Sequence, residues 1–174
     1  MADDLPKNGE LGAEQDARLV ATAYHEAGHA VMAVMLGRLV HKVTIEPGRS
    51  AFGQKRLGQC EMGKGRSKAA KDLLAEEVLI LYAGMIAESH LTGEYCEQGA
   101  GQDLALINRL LGPQVKTQKQ FERLRKRLFD KAEYLLADKE HAEAIKLVAA
   151  QLIQRKTISG RSVRHFFNHA TRKR

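Results

Sequence analysis

The strongest constraint on this chain is the pentapeptide HEAGH at positions 25–29, because a helix gives each of its three polar residues a separate role. Residues four apart lie on one helix face, so His25 and His29 can present two imidazole nitrogens to one metal ion. Glu26 can then act as general base on a zinc-bound water, whose pKa the metal lowers to about 7. The pattern predicts a zinc site that hydrolyses peptide bonds.

The surrounding sequence separates this interpretation from a chance pair of histidines on a solvated helix face. Apolar runs flank the motif at 19–24 and 30–36, and Gly37 follows where glycine commonly ends a helix. A metal ion would explain why two histidines lie on so apolar a helix. We therefore predict a helix from about Asp16, acting as N-cap, to Leu36.

Length and composition bound what can surround the site. The chain has 174 residues, of which 44% are hydrophobic, which is enough for one domain with its own core. Cys60 and Cys96 belong to no paired CxxC spacing and are expected to be reduced thiols. There is no signal-peptide pattern, and the apolar stretches at 31–40 and 78–87 are too short to cross a bilayer. We expect a cytoplasmic protein without a membrane span.

The net charge of +7 does not predict nucleic-acid binding. Much of the excess lies at 116–131 and 171–174, but aromatic residues make up only 5% of the chain and no nucleic-acid motif accompanies the cations. At 121–129, apolar residues recur every three or four positions with cations between them. This segment is predicted to be a solvated helix face, with a docking surface for a partner as the alternative.

The pattern along the chain predicts a mainly α fold with a small β element, a helical bundle. Residues 1–16 are predicted to be a flexible leader and 17–174 a single zinc-peptidase-like domain. A strand is expected at 39–45, and a glycine-rich loop at 51–65 with a short second strand at 56–60. The further predicted helices cover 67–91, with Leu73, Leu74, Val78, Leu81 and Met85 on one apolar side, a short stretch opening at 102–104, and 118–137, 139–155 and 160–171.

Two other patterns are set aside. Residues 58–64 spell the first part of a phosphate-binding loop, but Gly65 replaces the Ser or Thr that would bind magnesium, and no βαβ pattern surrounds it. We therefore expect no nucleotide site. The remaining histidines are expected on helix or strand surfaces rather than on a metal: His41, His90, His141, His165 and His169.

A catalytic zinc takes a third protein ligand, and spacing alone leaves its identity open. The class of zinc peptidase with a third histidine six residues after His29 is excluded, because Met35 stands there. Asp103 is a candidate because it lies at the start of a predicted helix, where a carboxylate is favoured. The other candidates are glutamates on the preceding helix: Glu76, Glu77 and Glu88.

Several ordered segments together resemble the peptidase domain of the FtsH family of ATP-dependent zinc metalloproteases. The similarity runs from about residue 17 to the end of the chain. The matching segments are YHEAGHAV at 24–31, VTIEPGRSAFG at 43–53, AGMIAE at 83–88, GAGQDL at 99–104, and LI with TISG within 152–160.

The resemblance implies a role for each matching residue. It makes His25, His29 and Asp103 the zinc ligands, Glu26 the catalytic base, and Glu88 a carboxylate that orients a ligand without touching the metal. The choice between Asp103 and Glu88 therefore comes from the family and not from spacing. Met85 and Gln98 depart from the family pattern, where arginine and threonine stand, but neither departure removes a catalytic group.

The resemblance also implies what the chain acts on. We expect a zinc endopeptidase that cleaves peptides or unfolded proteins, with the strand near Val43 offering its backbone to an extended substrate. Since the 174 residues include no ATPase module and no complete Walker motif, we expect this activity to be independent of ATP. A homo-oligomer or an ATPase acting in trans is a possible partner. The alternative is a catalytically silent metal-binding module of the same fold, with 121–129 as its interaction surface.

Overall fold

The fold is mainly α with a small antiparallel sheet, as predicted. The computed structural model describes residues 8–49, 55–70 and 72–172, with side chains from residue 12. The helices are α1 (Asn8–Met35), α2 (Leu73–Thr92), α3 (Gly101–Leu111), α4 (Gln118–Leu136), α5 (Lys139–Arg155) and α6 (Gly160–Thr171), with a 3-10 turn at Gly112–Gln114. The strands are β1 (Arg38–Thr44), β2 (Gly48–Arg49), β3 (Lys55–Arg56), β4 (Gln59–Arg66) and β5 (Thr157–Ser159).

Helix α1 starts earlier than the sequence indicates. It begins at Asn8, so Asp16 lies inside the helix and is not its N-cap, contrary to our prediction. Residues 12–18 are exposed and include strong helix formers, so the helix extends into solvent without needing a buried face. The first seven residues of the predicted leader lie outside the described part of the chain.

Helix α2 is the centre of the bundle. It starts at Leu73, behind an N-cap by Asp72, and ends at Gly93, whose φ of 82° is the left-handed conformation that glycine adopts readily. The predicted single apolar side is wrong: residues 78–87 are all buried, whereas Leu73 is 62% exposed. Because α1, α3 and α4 all pack against α2, its amphipathic pattern is lost.

Helices α1 and α2 approach closely at Gly28. A β-carbon there would overlap the backbone carbonyl of Ala83 and lie 2.6 Å from the Ala87 side chain. Only glycine lets the two backbones come this near. The contact is the reason that residues on the inner face of α1 reach groups on α2.

Strand β1 is the middle strand of a three-stranded sheet with the order β4-β1-β5. Val43 pairs with Cys60 on one side and with Ile158 on the other. The strand near Val43 therefore has no free edge for a substrate, and our prediction for it is wrong. The predicted loop at 51–65 is also corrected, because β4 occupies residues 59–66 and pairs with β1 despite its two glycines.

Helices α4, α5 and α6 close the bundle, and their ends follow local capping. Thr117 and Gln120 form a capping box at the start of α4, and Asp138 and Ser159 cap α5 and α6. Within the described residues, none of the helices has the length and apolar character needed to cross a membrane.

Candidate metal centre

Helix α1 turns the three polar residues of HEAGH toward the protein interior. Glu26 and His29 are 7% and 8% exposed, and His25 is partly buried. The flanking residues Ala27 and Ala30 are fully buried, so this helix face cannot be a solvated one. Buried imidazoles and a buried carboxylate require polar partners, because desolvation without them is costly.

The Nδ1 atom of each imidazole has a hydrogen-bond acceptor on α2. His29 Nδ1 lies 2.7 Å from the backbone carbonyl oxygen of Ile80, and His25 Nδ1 lies 3.1 Å from Glu88 Oε2. A carbonyl or ionised carboxylate oxygen can only accept, so each Nδ1 carries a hydrogen and donates it. In a neutral imidazole the other nitrogen, Nε2, then carries the lone pair.

Both Nε2 atoms face the same carboxylate oxygen. Asp103 Oδ2 lies 3.1 Å from His25 Nε2 and 3.2 Å from His29 Nε2. The ligand atoms of the three residues all lie within 4.8 Å of one another. When both imidazoles are neutral, three hydrogen-bond acceptors converge without a donor, so a cation is needed between them. Two imidazoles and one carboxylate are a ligand set typical of zinc. The residues therefore fit the metal that the sequence predicted.

In the absence of a metal, protons satisfy the cluster. Burial disfavours charge on His25, but hydrogen bonds to Asp103 and Glu88 outweigh burial and raise its pKa to about 10. Burial likewise opposes a charge on His29, and the attraction of Asp103 raises its pKa nonetheless. The pKa of Asp103 is lowered against the effect of its own burial, chiefly by the charge on His29. A metal ion would replace these protons.

Gly84 on α2 leaves open the space in front of the two imidazoles. A β-carbon at this position would lie 2.5 Å from His29 Nε2 and 2.6 Å from His25 Nε2. Any other residue would therefore press on the two nitrogens that face Asp103. The glycine lies in the AGMIAE segment, but nothing in the spacing of that segment assigned it this role.

The Glu26 carboxylate lies against the chain that leads into β4. A β-carbon at Gly58 would lie 2.7 Å from Glu26 Oε1, so the chain just before β4 passes directly over the carboxylate. Burial raises the pKa of Glu26, while His29 and His25 lower it. Burial also raises the pKa of the neighbouring Cys60 thiol, and the Glu26 charge adds to this effect.

The other predicted candidates lie elsewhere. Glu76 forms an ion pair with Arg66, and Glu77 forms one with Arg38 at 2.9 Å, so both carboxylates are engaged away from the metal cluster. Among the described residues, His25, His29 and Asp103 form the single group with metal-ligand spacing, which leaves the remaining histidines out. Residues 58–64 enter β4 instead of a loop before a helix, so the phosphate-loop spelling has no phosphate-loop structure.

Comparisons with known proteins agree with this site. The model of Peptidase family M41 matches residues 13–121, more than half of the chain and all of the metal cluster. The chain therefore belongs to Peptidase family M41, a family of metallopeptidases. The resemblance to FtsH proteases drawn from the sequence is confirmed.

Individual relatives of the chain are named as FtsH proteases. The chain is 34% identical over 109 residues to the ATP-dependent zinc metalloprotease FtsH 4 of Sorangium cellulosum, covering 58% of this chain and 16% of that protein. It is 33% identical over 120 residues to FtsH 1 of Thermoanaerobacter sp., covering 68% of this chain and 19% of the relative. FtsH of Cupriavidus metallidurans is 47% identical over 70 residues, or 39% of this chain and 10% of its own length. The chain spans less than a fifth of each.

Proposed function

We propose that this chain is a zinc-dependent endopeptidase that hydrolyses peptides or unfolded proteins. The observation that carries the proposal is the convergence of two imidazole Nε2 atoms and one carboxylate oxygen beside a buried glutamate. His25, His29 and Asp103 would hold the metal. When bound, zinc polarises a carbonyl and lowers the pKa of water to about 7.

Glu26 is the general base in this proposal. Its burial raises the pKa of the carboxyl group, which makes the carboxylate a stronger proton acceptor. The carboxylate would take a proton from the attacking water and pass it to the leaving amine. Glu88 holds the His25 ring through Nδ1, and the Ile80 carbonyl holds the His29 ring in the same way.

An extended substrate would lie along β4 rather than β1. Among the described residues, β4 pairs with β1 alone, so its other edge presents backbone donors and acceptors. The start of β4 adjoins Glu26 through Gly58, which would bring a peptide added at that edge close to the base. This arrangement requires extended backbone and therefore favours disordered chains over folded ones.

Exchange of Glu26 for glutamine tests the proposal. Glu26→Gln keeps the side-chain shape but cannot accept a proton, so we expect zinc content to stay near one per chain while turnover of an unstructured peptide falls about 100-fold or more. Glu14→Gln, an exposed change on the same helix, is the control and should behave as the parent. Equal turnover by the Glu26 variant and the parent at matched zinc content would rule out Glu26 as base.

The metal assignment has its own test. We expect His29→Ala and Asp103→Ala each to reduce the zinc that copurifies with the chain, as measured by elemental analysis. Full occupancy in either variant would exclude that residue as a ligand. If zinc binds normally but no peptide in a broad library is cleaved, the silent metal-binding module becomes the better description.

A further inference from the structure

The segment 55–58 contacts both helices that carry the metal cluster, α1 and α3. At one end, Gln102, the neighbour of Asp103, donates from Nε2 to the Lys55 carbonyl oxygen at 3.3 Å. At the other end, Gly58 adjoins the Glu26 carboxylate. Arg56 lies between these two attachments. Its position therefore follows from contacts to both sides of the site.

Part of the Arg56 guanidinium is buried without a partner among the described residues. Its Nε and Nη1 atoms are inaccessible to solvent and make no hydrogen bond, and no ion pair of Arg56 occurs among the described residues. The group packs over Gly48 on the neighbouring strand β2, where a β-carbon would lie 3.1 Å from Nε and 3.2 Å from Nη2. The sequence between the two strands, SAFGQ at 50–54, includes no acidic residue.

A guanidinium in this position needs an anion. Arginine stays charged in proteins, and a buried charge with unsatisfied donors is costly unless a partner arrives. Among the described carboxylates, that of Glu26 is close enough for Arg56 to lower its pKa but forms no ion pair with it, while Asp103 faces both imidazoles and Glu88 faces His25. The planar fork of arginine matches a carboxylate in two-point contact.

The Arg56 guanidinium acts on Glu26 more weakly than the metal ligands do. Of the charged groups that shift the pKa of Glu26, Arg56 has the smallest influence, behind both histidines and Asp103. A group that stabilises charge on the scissile carbonyl would lie among the metal ligands. A side-chain carboxylate of a bound peptide can reach further out.

We propose that Arg56 is a specificity-determining residue that binds a carboxylate side chain of the substrate, so that the site prefers peptides with Asp or Glu near the scissile bond. This inference rests on the proposed endopeptidase function. It assigns a substrate class to that function, namely unstructured acidic segments.

The test compares two peptides that differ only by Glu or Gln at one position, moved stepwise along the residues flanking the cleaved bond. At one position we expect the parent to favour Glu about tenfold or more in kcat/KM, the size of a charge-assisted hydrogen bond. Arg56→Gln should bring the ratio close to one, and Arg56→Lys should retain part of it, because lysine keeps the charge without the fork. Lys55→Gln, an exposed cation on the same strand, is the control and should keep the full ratio.

Three outcomes would overturn the assignment. One is a parent enzyme without preference for Glu at any position. Another is an Arg56→Gln variant that loses activity equally on both peptides, which indicates a structural role or action on the reacting carbonyl. The third is an equal loss of preference in Lys55→Gln, which indicates general attraction by positive charge. Zinc content and melting temperature are measured for every variant so that misfolding is recognised.

A binding measurement separates this inference from the proposed function. The zinc-loaded Glu26→Gln protein is titrated with fluorescent versions of the two peptides, and Arg56 is exchanged in the same background. We expect tighter binding of the Glu peptide, lost with Arg56→Gln. If no peptide is cleaved by the parent but this difference appears, the endopeptidase proposal fails and the carboxylate site stands. Equal binding of both peptides overturns the carboxylate site whether or not cleavage occurs.

Discussion

The two sides of the metal cluster differ in how completely their polar groups are paired. On the helical side, where α2 faces α1, each imidazole Nδ1 has its own acceptor, Ile80 or Glu88. On the strand side, formed by 55–58 and the start of β4, two nitrogens of the Arg56 guanidinium and one edge of β4 have no partner among the described residues. Hydrogen bonds to the imidazoles fix the geometry of the metal ligands, whereas polar groups without a partner can bind another molecule. The comparison supports the proposal that one side binds the metal and the other binds the substrate.

The largest expected effect comes from filling the space on the helical side. Gly84→Ala places a methyl group 2.5–2.6 Å from both Nε2 atoms, so we expect zinc affinity to fall more than about 100-fold and turnover to fall with it. Competition with a chelator measures the affinity. Gly112→Ala is the matched control, because nothing lies within 4 Å of a β-carbon there. Normal affinity in the Gly84 variant would show that the imidazoles do not meet the metal through these nitrogens.

Loss of the hydrogen bond behind His25 should weaken zinc binding less. Glu88→Gln keeps an acceptor oxygen but removes the charge that supports the imidazole, and such changes reduce metal affinity about 10- to 100-fold. Glu77→Gln on the same helix, which disturbs only the pair with Arg38, should leave zinc affinity as in the parent. Similar affinities for both variants and the parent would remove Glu88 from the site.

A change on the strand side should alter turnover without altering the metal. The backbone of Gly58 is not in the left-handed region, so alanine is accommodated, but its methyl group would displace the Glu26 carboxylate. We expect Gly58→Ala to lower kcat about tenfold at unchanged zinc content. Gly63→Ala, on the strand that follows Gly58, meets Leu39 at 3.4 Å, an ordinary contact, and should match the parent. Loss of zinc in the Gly58 variant would break the division between the two sides.

The smallest expected effect is a pH dependence of the metal-free protein. Because the pKa of His25 rises from 6.5 to about 10 on folding, the folded chain holds more protons than the unfolded chain between these values. Its free energy of unfolding should therefore decrease as pH rises, by about 1 kcal/mol between roughly pH 7 and 8. Urea unfolding with a chelator present measures this decrease. His25→Gln should flatten it, and an equally steep decrease in that variant would assign it to other groups.

The parts of the fold that follow local rules were predictable from the sequence. Helices α5 and α6 have the predicted bounds because Asp138 and Ser159 cap them and their apolar residues follow a helical period. Strand β4 was predicted only as a short strand at 56–60, because Gly63 and Gly65 lower the β-propensity of its second half. It runs over 59–66 because β1 offers an edge to pair with. The burial of α2 depends on helices from other parts of the chain, which periodicity does not reveal.

The site divides in the same way. His25, Glu26 and His29 follow from spacing on one helix, and their burial agrees with the apolar flanks. Asp103 is brought to them across 78 positions of sequence by the packing of α3. The sequence offered it as one of four candidates, and only the family resemblance selected it. The role of Arg56 could not be predicted from the sequence, because whether its guanidinium finds a partner depends on which groups the fold brings next to it.

The enclosed position of α2 has a consequence for the order in which this protein matures. During synthesis α1 leaves the ribosome before α5 and α6, so the histidines and Glu26 emerge before the helices that later pack against α1. The Ile80 carbonyl and Gly84 belong to a segment without solvent contact, and such segments open only when the whole domain unfolds. A nascent chain would therefore carry its hydrolytic groups in a scattered, inactive form. In the proposed endopeptidase, the metal cluster and the base would come together only once folding is complete.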